Sequence, residues 1–334
     1  MDEALKNEWC RLFDLGVKIK KVKPWLFITE NKLFILHLKK RNYPVVLHFM
    51  GNAEGNPAVF VYQTRNAQKN LSALLFDTPN VIDPLSYLPT LQDGLVLDFN
   101  DRFELSDEEY ELTKELGYSF RGRKQWLSFT SFNQGTAPRV LKKSEIKLLA
   151  DCLELVLANE SVLKEVEKQE APCHLFEDKE SQFAPFDLYE ENKAVPKPFK
   201  DKALIKRLAK LPQQTATLEL SYIYTNQLLD DKVVIPLILC VETENGTPIF
   251  RDMIENAKLL DEKILRYVTK MVEAVGRPKK IVVRLEGLYS LLFDFCQKLD
   301  IELELSASIS TFDEVCLDVM DMIEMPRNTI IQKN

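Results

Sequence analysis

The stretch TLELSYIYTNQLLDDKVVIPLILCVETENGTPIFRDM, Thr217 to Met253, decides the fold of the C-terminal half. Thr217 to Tyr224 alternates apolar and polar side chains, the period of a strand with two unlike faces. Val233 to Val241 is an unbroken apolar run, which suits a strand buried on both sides. Asn245-Gly246 is turn chemistry, so Pro248 to Met253 returns as a hairpin partner. Downstream the period changes. Leu260, Ile264, Val268, Met271 and Val275 fall on one helical face, and Gly276-Arg277-Pro278 stops that helix. Lys280 to Leu285 reads as another buried strand. Leu288, Leu291, Leu292, Phe295 and Leu299 mark the next helix, Ile301 to Leu305 a further strand, and Asp313 to Ile323 a last helix. Three antiparallel strands followed by αβαβ predict a mixed sheet whose later strands run parallel through right-handed crossovers.

Upstream the pattern differs. Leu5, Trp9, Leu12, Phe13 and Val17 form the stripe of a helix over Asp2 to Lys21. Lys18, Lys20, Lys21 and Lys23 follow it, either as an anion-binding edge or as cations complementing the helix dipole. Trp25 to Thr29, Leu33 to Leu38, Val45 to Phe49 and Ala58 to Tyr62 have strand character, separated by turn residues, which predicts an antiparallel meander. Asn66 to Phe76 reads as a helix, and Leu95 to Phe99 and Trp126 to Phe132 as strands. Ser106-Asp107-Glu108-Glu109 is a helix start, with Gly117 as its stop. A helix over Ser144 to Val162 closes this region. From Lys164 to Lys200 charges and prolines accumulate and apolar periodicity disappears, the mark of a connecting segment. Lys202 to Leu211 is a short basic helix.

With 334 residues the chain exceeds one ordinary domain. The expected architecture is an α+β domain over residues 1–163, a linker over 164–201 and an α/β domain over 202–334. Acidic residues outnumber basic ones, 51 to 44, which argues against a chain devoted to non-specific nucleic-acid binding. Only 10 glycines occur and none cluster, so P-loop and GxGxxG chemistry is excluded. No apolar run reaches the length of a membrane span, and Met1-Asp2-Glu3-Ala4 lacks the features of a signal peptide, so a cytosolic protein is expected. Six scattered cysteines without a CxxC pair read as small core hydrophobes in a reducing compartment. Cys173-His174 lacks companion ligands for zinc and reads as incidental linker sequence.

Two sets of motifs add a resemblance. Lys23-Pro24-Trp25, Phe49-Met50-Gly51, Arg121-Gly122-Arg123-Lys124-Gln125-Trp126 and Gly135-Thr136-Ala137-Pro138 resemble a bacterial N-terminal domain of unknown function. Thr217 to Leu305, with Gly276-Arg277-Pro278-Lys279 before its strand, resembles that domain's usual C-terminal companion, also of unknown function. The order of elements in the C-terminal half is similar to a ribonuclease-H-like core of the integrase and transposase type. That resemblance implies a two-metal carboxylate site, with Mg²⁺ or Mn²⁺ held by an acid on the first strand, one after the fourth strand and one on a later helix. Glu219 and Glu286 stand at the first two positions, and Asp313, Glu314, Asp318 and Asp321 offer the third. Both leading residues are Glu where active relatives use Asp, a one-methylene shift that disturbs metal geometry. Glu242 and Glu244, near the hairpin turn, do not repair it.

Bland readings stand beside these. Glu219 fits a solvent-facing residue with Leu218, Leu220, Tyr222 and Tyr224 inward, and Glu286 fits a helix start. Arg121, Arg123 and Lys124 beside Trp126 suit phosphate binding and base stacking, although such a group is more often a charged strand edge. A small-ligand pocket lined by Trp25 and Trp126 is a further option. The expectation is a non-catalytic binding or interaction module with no cofactor and no membrane; the sequence names no partner, and a protein and a nucleic acid are both open. A divergent metal-dependent nuclease or phosphoryl-transfer enzyme is the alternative.

Overall fold

The computed structural model describes residues 1–29, 32–51, 56–64, 67, 68, 71, 93–133, 135–166, 168, 172–177, 179–183, 195–229, 233–256, 259–306 and 308–324. They divide into two compact units, the first holding the described residues up to 183 and the second those from 195 onward.

In the first unit, helix α1 (Glu3–Val22) starts where Asp2 accepts the Leu5 N–H at 2.6 Å. It ends at Lys23, which takes a left-handed conformation with φ 50°. Pro24 then opens a 3₁₀ turn, Pro24–Leu26, and its carbonyl accepts the N–H groups of Phe27 and Ile28. The strand expected from Trp25 therefore does not form. A left-handed cap followed by proline commits the backbone to a turn before strand propensity can act.

Six strands follow in a meander: β1 (Leu33–His37), β2 (Val45–Met50), β3 (Ala58–Tyr62), β4 (Gly94–Asn100), β5 (Trp126–Phe132) and β6 (Arg139–Val140). Each pairs antiparallel with the next. Most of the helix expected over Asn66 to Phe76 lies outside the described residues. Helix α2 (Asp107–Glu115) carries the expected capping box, Ser106 with Glu109. Helices α3 (Lys143–Ala158) and α4 (Glu160–Val166) follow β6.

Both faces of this sheet are buried. Phe34, Leu47, Phe49, Leu97 and Phe99 join Trp9, Leu12, Phe13, Leu149 and Leu153 of α1 and α3 in one core. On the reverse face Ile35, Val46, Phe60, Tyr62 and Val96 pack with Ala67 and Leu71. Two-sided burial explains why β1 to β3 read as continuous apolar runs.

The expected linker holds two more strands. β7 (Cys173–Phe176) pairs parallel with β1, and β8 (Lys179–Phe183) pairs antiparallel with β7. The first unit thus runs past the expected boundary at 163. Strands of four and five residues, with β8 at the sheet edge, show too few repeats for periodicity to register.

The second unit follows the expected order closely. After α5 (Lys202–Leu208) come β9 (Thr217–Leu229), β10 (Val233–Glu242), β11 (Pro248–Met253), α6 (Leu260–Val275), β12 (Lys280–Val283), α7 (Glu286–Lys298), β13 (Glu302–Leu305) and α8 (Ser310–Glu324). The sheet order is β11-β10-β9-β12-β13. β9 to β11 are antiparallel, and β12 runs parallel to both β9 and β13. Leu218, Leu220, Ile238, Cys240, Ile281 and Val283 pack with α6 and α7. Gly276 ends α6 at φ 98°, where a Cβ would stand 2.7 Å from the Pro212 carbonyl oxygen. Arg277 then ties three segments together, donating to the carbonyls of Leu211 (3.0 Å) and Leu299 (2.7 Å) while its own carbonyl accepts the Gln214 N–H at 2.7 Å. The Gly-Arg-Pro-Lys motif is a structural joint.

Candidate functional site

Glu219 sits on β9, the central strand of the second sheet. Its neighbours Leu218 and Leu220 belong to the core beneath α6 and α7. Strand alternation therefore turns Glu219 to the other face, the side on which α8 begins. There its Oε2 accepts the Phe312 N–H at 2.6 Å, and the residue is 6% exposed. The first amides of a helix have no partner within the helix, and this carboxylate supplies one from 93 residues away. The solvent-facing reading of Glu219 is corrected: its outward face is covered.

Asp313, in the first turn of α8, is fully buried. Arg284 reaches it with Nη2 at 2.6 Å, both side chains being nearly inaccessible. β12 lies parallel to β9 with Val282 opposite Glu219. Arg284, two residues on, projects to the same face as Val282. Two carboxylates and one guanidinium thus meet at the start of α8. Burial holds the Glu219 carboxyl above its usual range and Asp313 adds to the rise, opposed by the Phe312 and Thr311 amides and by Arg284.

Glu286, Glu314 and Asp318 stand at exposed positions. Glu286 is the first residue of α7, matching the helix-start reading, and Glu314 and Asp318 lie on α8. The side chain of Asp321 lies outside the described residues. Among the described residues no group of three His, Cys, Asp or Glu side chains is placed to hold a metal ion. The donor set does not fit a pair of divalent cations, because Glu219 serves backbone amides and Asp313 serves an arginine.

The basic patch also separates. Lys124 adopts φ 52°, its N–H donates to Asp101 Oδ1 at 2.7 Å, and its ammonium holds Glu104 at 2.7 Å. Trp126 packs against Tyr110 and Phe120, with centroids 5.7 and 5.9 Å away, under the Arg102 guanidinium. Arg121 and Arg123 alone stay exposed around the Gly122 turn. Trp25 and Trp126 have different ring partners. Trp25 is buried against Phe99 in the helix-side core, whereas Trp126 alternates with core residue Leu127 and turns to the opposite face.

Three features escape a reading of the sequence. Asp98 stands opposite Ser128 in the β4–β5 ladder, and the Ser128 hydroxyl donates to Glu109. Burial, then the neighbouring Glu109 and Glu104 charges, push its carboxyl up to about 7. His174 is part of β7 and not incidental linker, with its Nδ1 2.9 Å from His37 Nε2. Arg284 carries no local signal, since its role exists only where β12 meets α8. The cysteines behave as expected of core hydrophobes: all six are free, and burial pushes Cys173 up to about 11 and Cys296 and Cys316 to about 12.

A family model described as a domain of unknown function, DUF7309, matches residues 9–184, more than half of the chain and the whole extent of the first sheet. The chain belongs to the DUF7309 family. A second model, the domain of unknown function DUF6930, matches residues 204–320 and covers the second sheet together with the start of α8. The expected pairing of two domains of unknown function is therefore present. The DUF7309 match takes in β7 and β8, in agreement with their place beside β1. No curated protein matches the chain. No helix among the described residues is long and apolar enough to cross a membrane.

Proposed function

We propose that this chain is a non-catalytic binding or interaction protein whose second unit is a ribonuclease-H-like scaffold with an arginine in the place of catalytic metal. The same proposal takes its setting to be the bacterial cytosol. Sheet order β11-β10-β9-β12-β13 with αβαβ connections supports the scaffold. A single observation carries the loss of chemistry: Glu219 and Asp313, the two acids brought together, are buried and engaged by the α8 amides and by Arg284. A metal-dependent hydrolase needs open coordination positions and carboxylates that repel one another until the cation binds. Here the repulsion is offset by the Arg284 guanidinium, paired with Asp313 at 2.6 Å.

The test is thermal unfolding of the full chain in chelator, in Mg²⁺ and in Mn²⁺. A bound cation stabilises by mass action, about 2.7 kcal/mol at a concentration 100 times its Kd. Low millimolar Mn²⁺ is expected to leave the midpoint unmoved, and Glu286→Gln to change nothing. A Mn²⁺-dependent rise that disappears in Glu219→Gln or Glu286→Gln would establish the nuclease alternative instead.

A further inference from the structure

The second unit has a groove of about 640 Å³ between α5 and α6, within the size range of ligand sites. Its floor is apolar and preformed. Leu204 and Leu265 face it from the two helices, and Phe199 completes it from the arm before α5. That arm is fixed, because the Phe199 N–H donates to Asp294 Oδ2 at 2.6 Å and its ring meets Phe295 edge-on at 5.1 Å.

The walls carry three cations, Arg207, Arg266 and Lys270, against two acids, Asp201 and Glu273, in a chain whose formal charge is −7. Both acids lining the groove are already engaged: Asp201 caps α5 through the Leu204 N–H at 2.8 Å, and Glu273 is paired with Arg207. Arg266 and Lys270 line the groove one helical turn apart on α6, are exposed, and make no ion pair among the described residues. An apolar floor beside two uncompensated cations at i and i+4 complements a helix with an apolar stripe flanked by carboxylates of the same spacing.

We propose that this groove docks an acidic amphipathic helix of a partner protein, with apolar side chains on Phe199, Leu204 and Leu265 and carboxylates on Arg266 and Lys270. The proposal rests on the reading of the chain as an interaction protein and names the class of partner. Nucleic acid fits less well. The floor is aliphatic apart from Phe199, whose ring packs edge-on to Phe295, so no open aromatic platform faces a base.

The experiment is selection of a displayed random 16-residue peptide library on the full-length chain, followed by fluorescence anisotropy with the enriched peptides and with a labelled 20-nucleotide oligothymidylate. Enriched peptides are expected to carry acids three or four residues apart beside an apolar stripe. Their binding should weaken at least tenfold in the Arg266→Glu/Lys270→Glu variant and fall with added salt. That variant changes only exposed side chains, and an unchanged circular dichroism spectrum and melting midpoint confirm its fold. No enrichment, peptides without acids, or peptides indifferent to the double variant overturn the proposal. So does oligothymidylate binding that is tighter than the peptides and abolished by the same substitutions. The metal titration involves neither Arg266 nor Lys270, so failure here leaves the loss of metal chemistry standing.

Discussion

Removing Arg284 exposes the energetics of the buried cluster. Its guanidinium is 10% exposed and lies 2.6 Å from an Asp313 carboxylate that is 1% exposed. Unit charges roughly 4 Å apart attract by about 4 kcal/mol at an effective dielectric near 20. Stripping one partner from a buried pair typically costs about 3–5 kcal/mol, because the other charge is left without compensation. Arg284→Met keeps most of the stem's volume and removes the charge, so a loss of about 3–5 kcal/mol is expected at pH 8. The deficit should depend on pH with a definite sign. Glu219 already lies above its usual carboxyl range through burial, with Arg284 opposing the rise. Without that opposition the folded variant holds protons more tightly than its unfolded chain, so its stability increases as pH falls. The gap to the parent protein should therefore narrow between pH 8 and pH 5.5. Urea unfolding followed by far-ultraviolet circular dichroism measures both units. Trp9, Trp25 and Trp126, the three tryptophans, all lie in the first unit, so tryptophan emission provides an internal reference. Adding Asp313→Asn should recover at least 1 kcal/mol, a coupling within the range of double-mutant cycles. An Arg284→Met protein within about 0.5 kcal/mol of the parent at pH 8 would refute the reasoning, as would a deficit equal at both pH values.

Asp98→Asn should stabilise the first unit by on the order of 2–4 kcal/mol at pH 8. The Asp98 carboxyl is raised to about 7, so the folded state binds the extra proton and the parent loses stability as pH rises from about 4 to 7; the gain should vanish below pH 4 in tryptophan-monitored melts. Gly276→Ala should cost about 1–3 kcal/mol, since a Cβ at φ 98° meets the Pro212 carbonyl oxygen at 2.7 Å, whereas Gly287→Ala, with nothing within 4 Å, should be neutral or slightly stabilising in the same dichroism melts. Arg121→Ala and Arg123→Ala should each leave stability within about 0.5 kcal/mol. Lys124→Ala should lose more than either, through the Glu104 ion pair; the φ of 52° strains a β-carbon equally in Lys and Ala and cancels, and equal melts for all three would contradict the division of the patch.

How far the amino-acid sequence reaches depends on the length scale of each interaction. The order of elements in the second unit was legible because each announces itself locally. Period two in Thr217 to Tyr224, an unbroken run in Val233 to Val241, helical spacing from Leu260 to Met271 and a glycine stop at Gly276 all act within a few residues. Chirality and short connections then leave few ways to arrange three antiparallel strands and two βα crossovers. The meander of the first unit was legible for the same reason. Its β7 and β8 were not, since four or five residues carry no measurable period and their stability comes from pairing with β1, 139 positions earlier at the Phe34–Cys173 pair.

The site divides along the same line. Alternation alone put Glu219 on the face opposite Leu218 and Leu220, and sequence order put acids in the first turn of the last helix. Whether that face met solvent, metal or protein depended on where α8 packs, and that is set by hydrophobic contacts of Phe312, Cys316 and Val319 across more than 90 residues of chain. Arg284 illustrates the limit. As one cation after a four-residue strand it resembles many others, and only the convergence of β12, β9 and the start of α8 turns it into the counter-charge of two buried acids. Desolvation makes that choice: carboxylates carried away from water by a packed helix must find amides or a cation, and the tertiary structure supplies both.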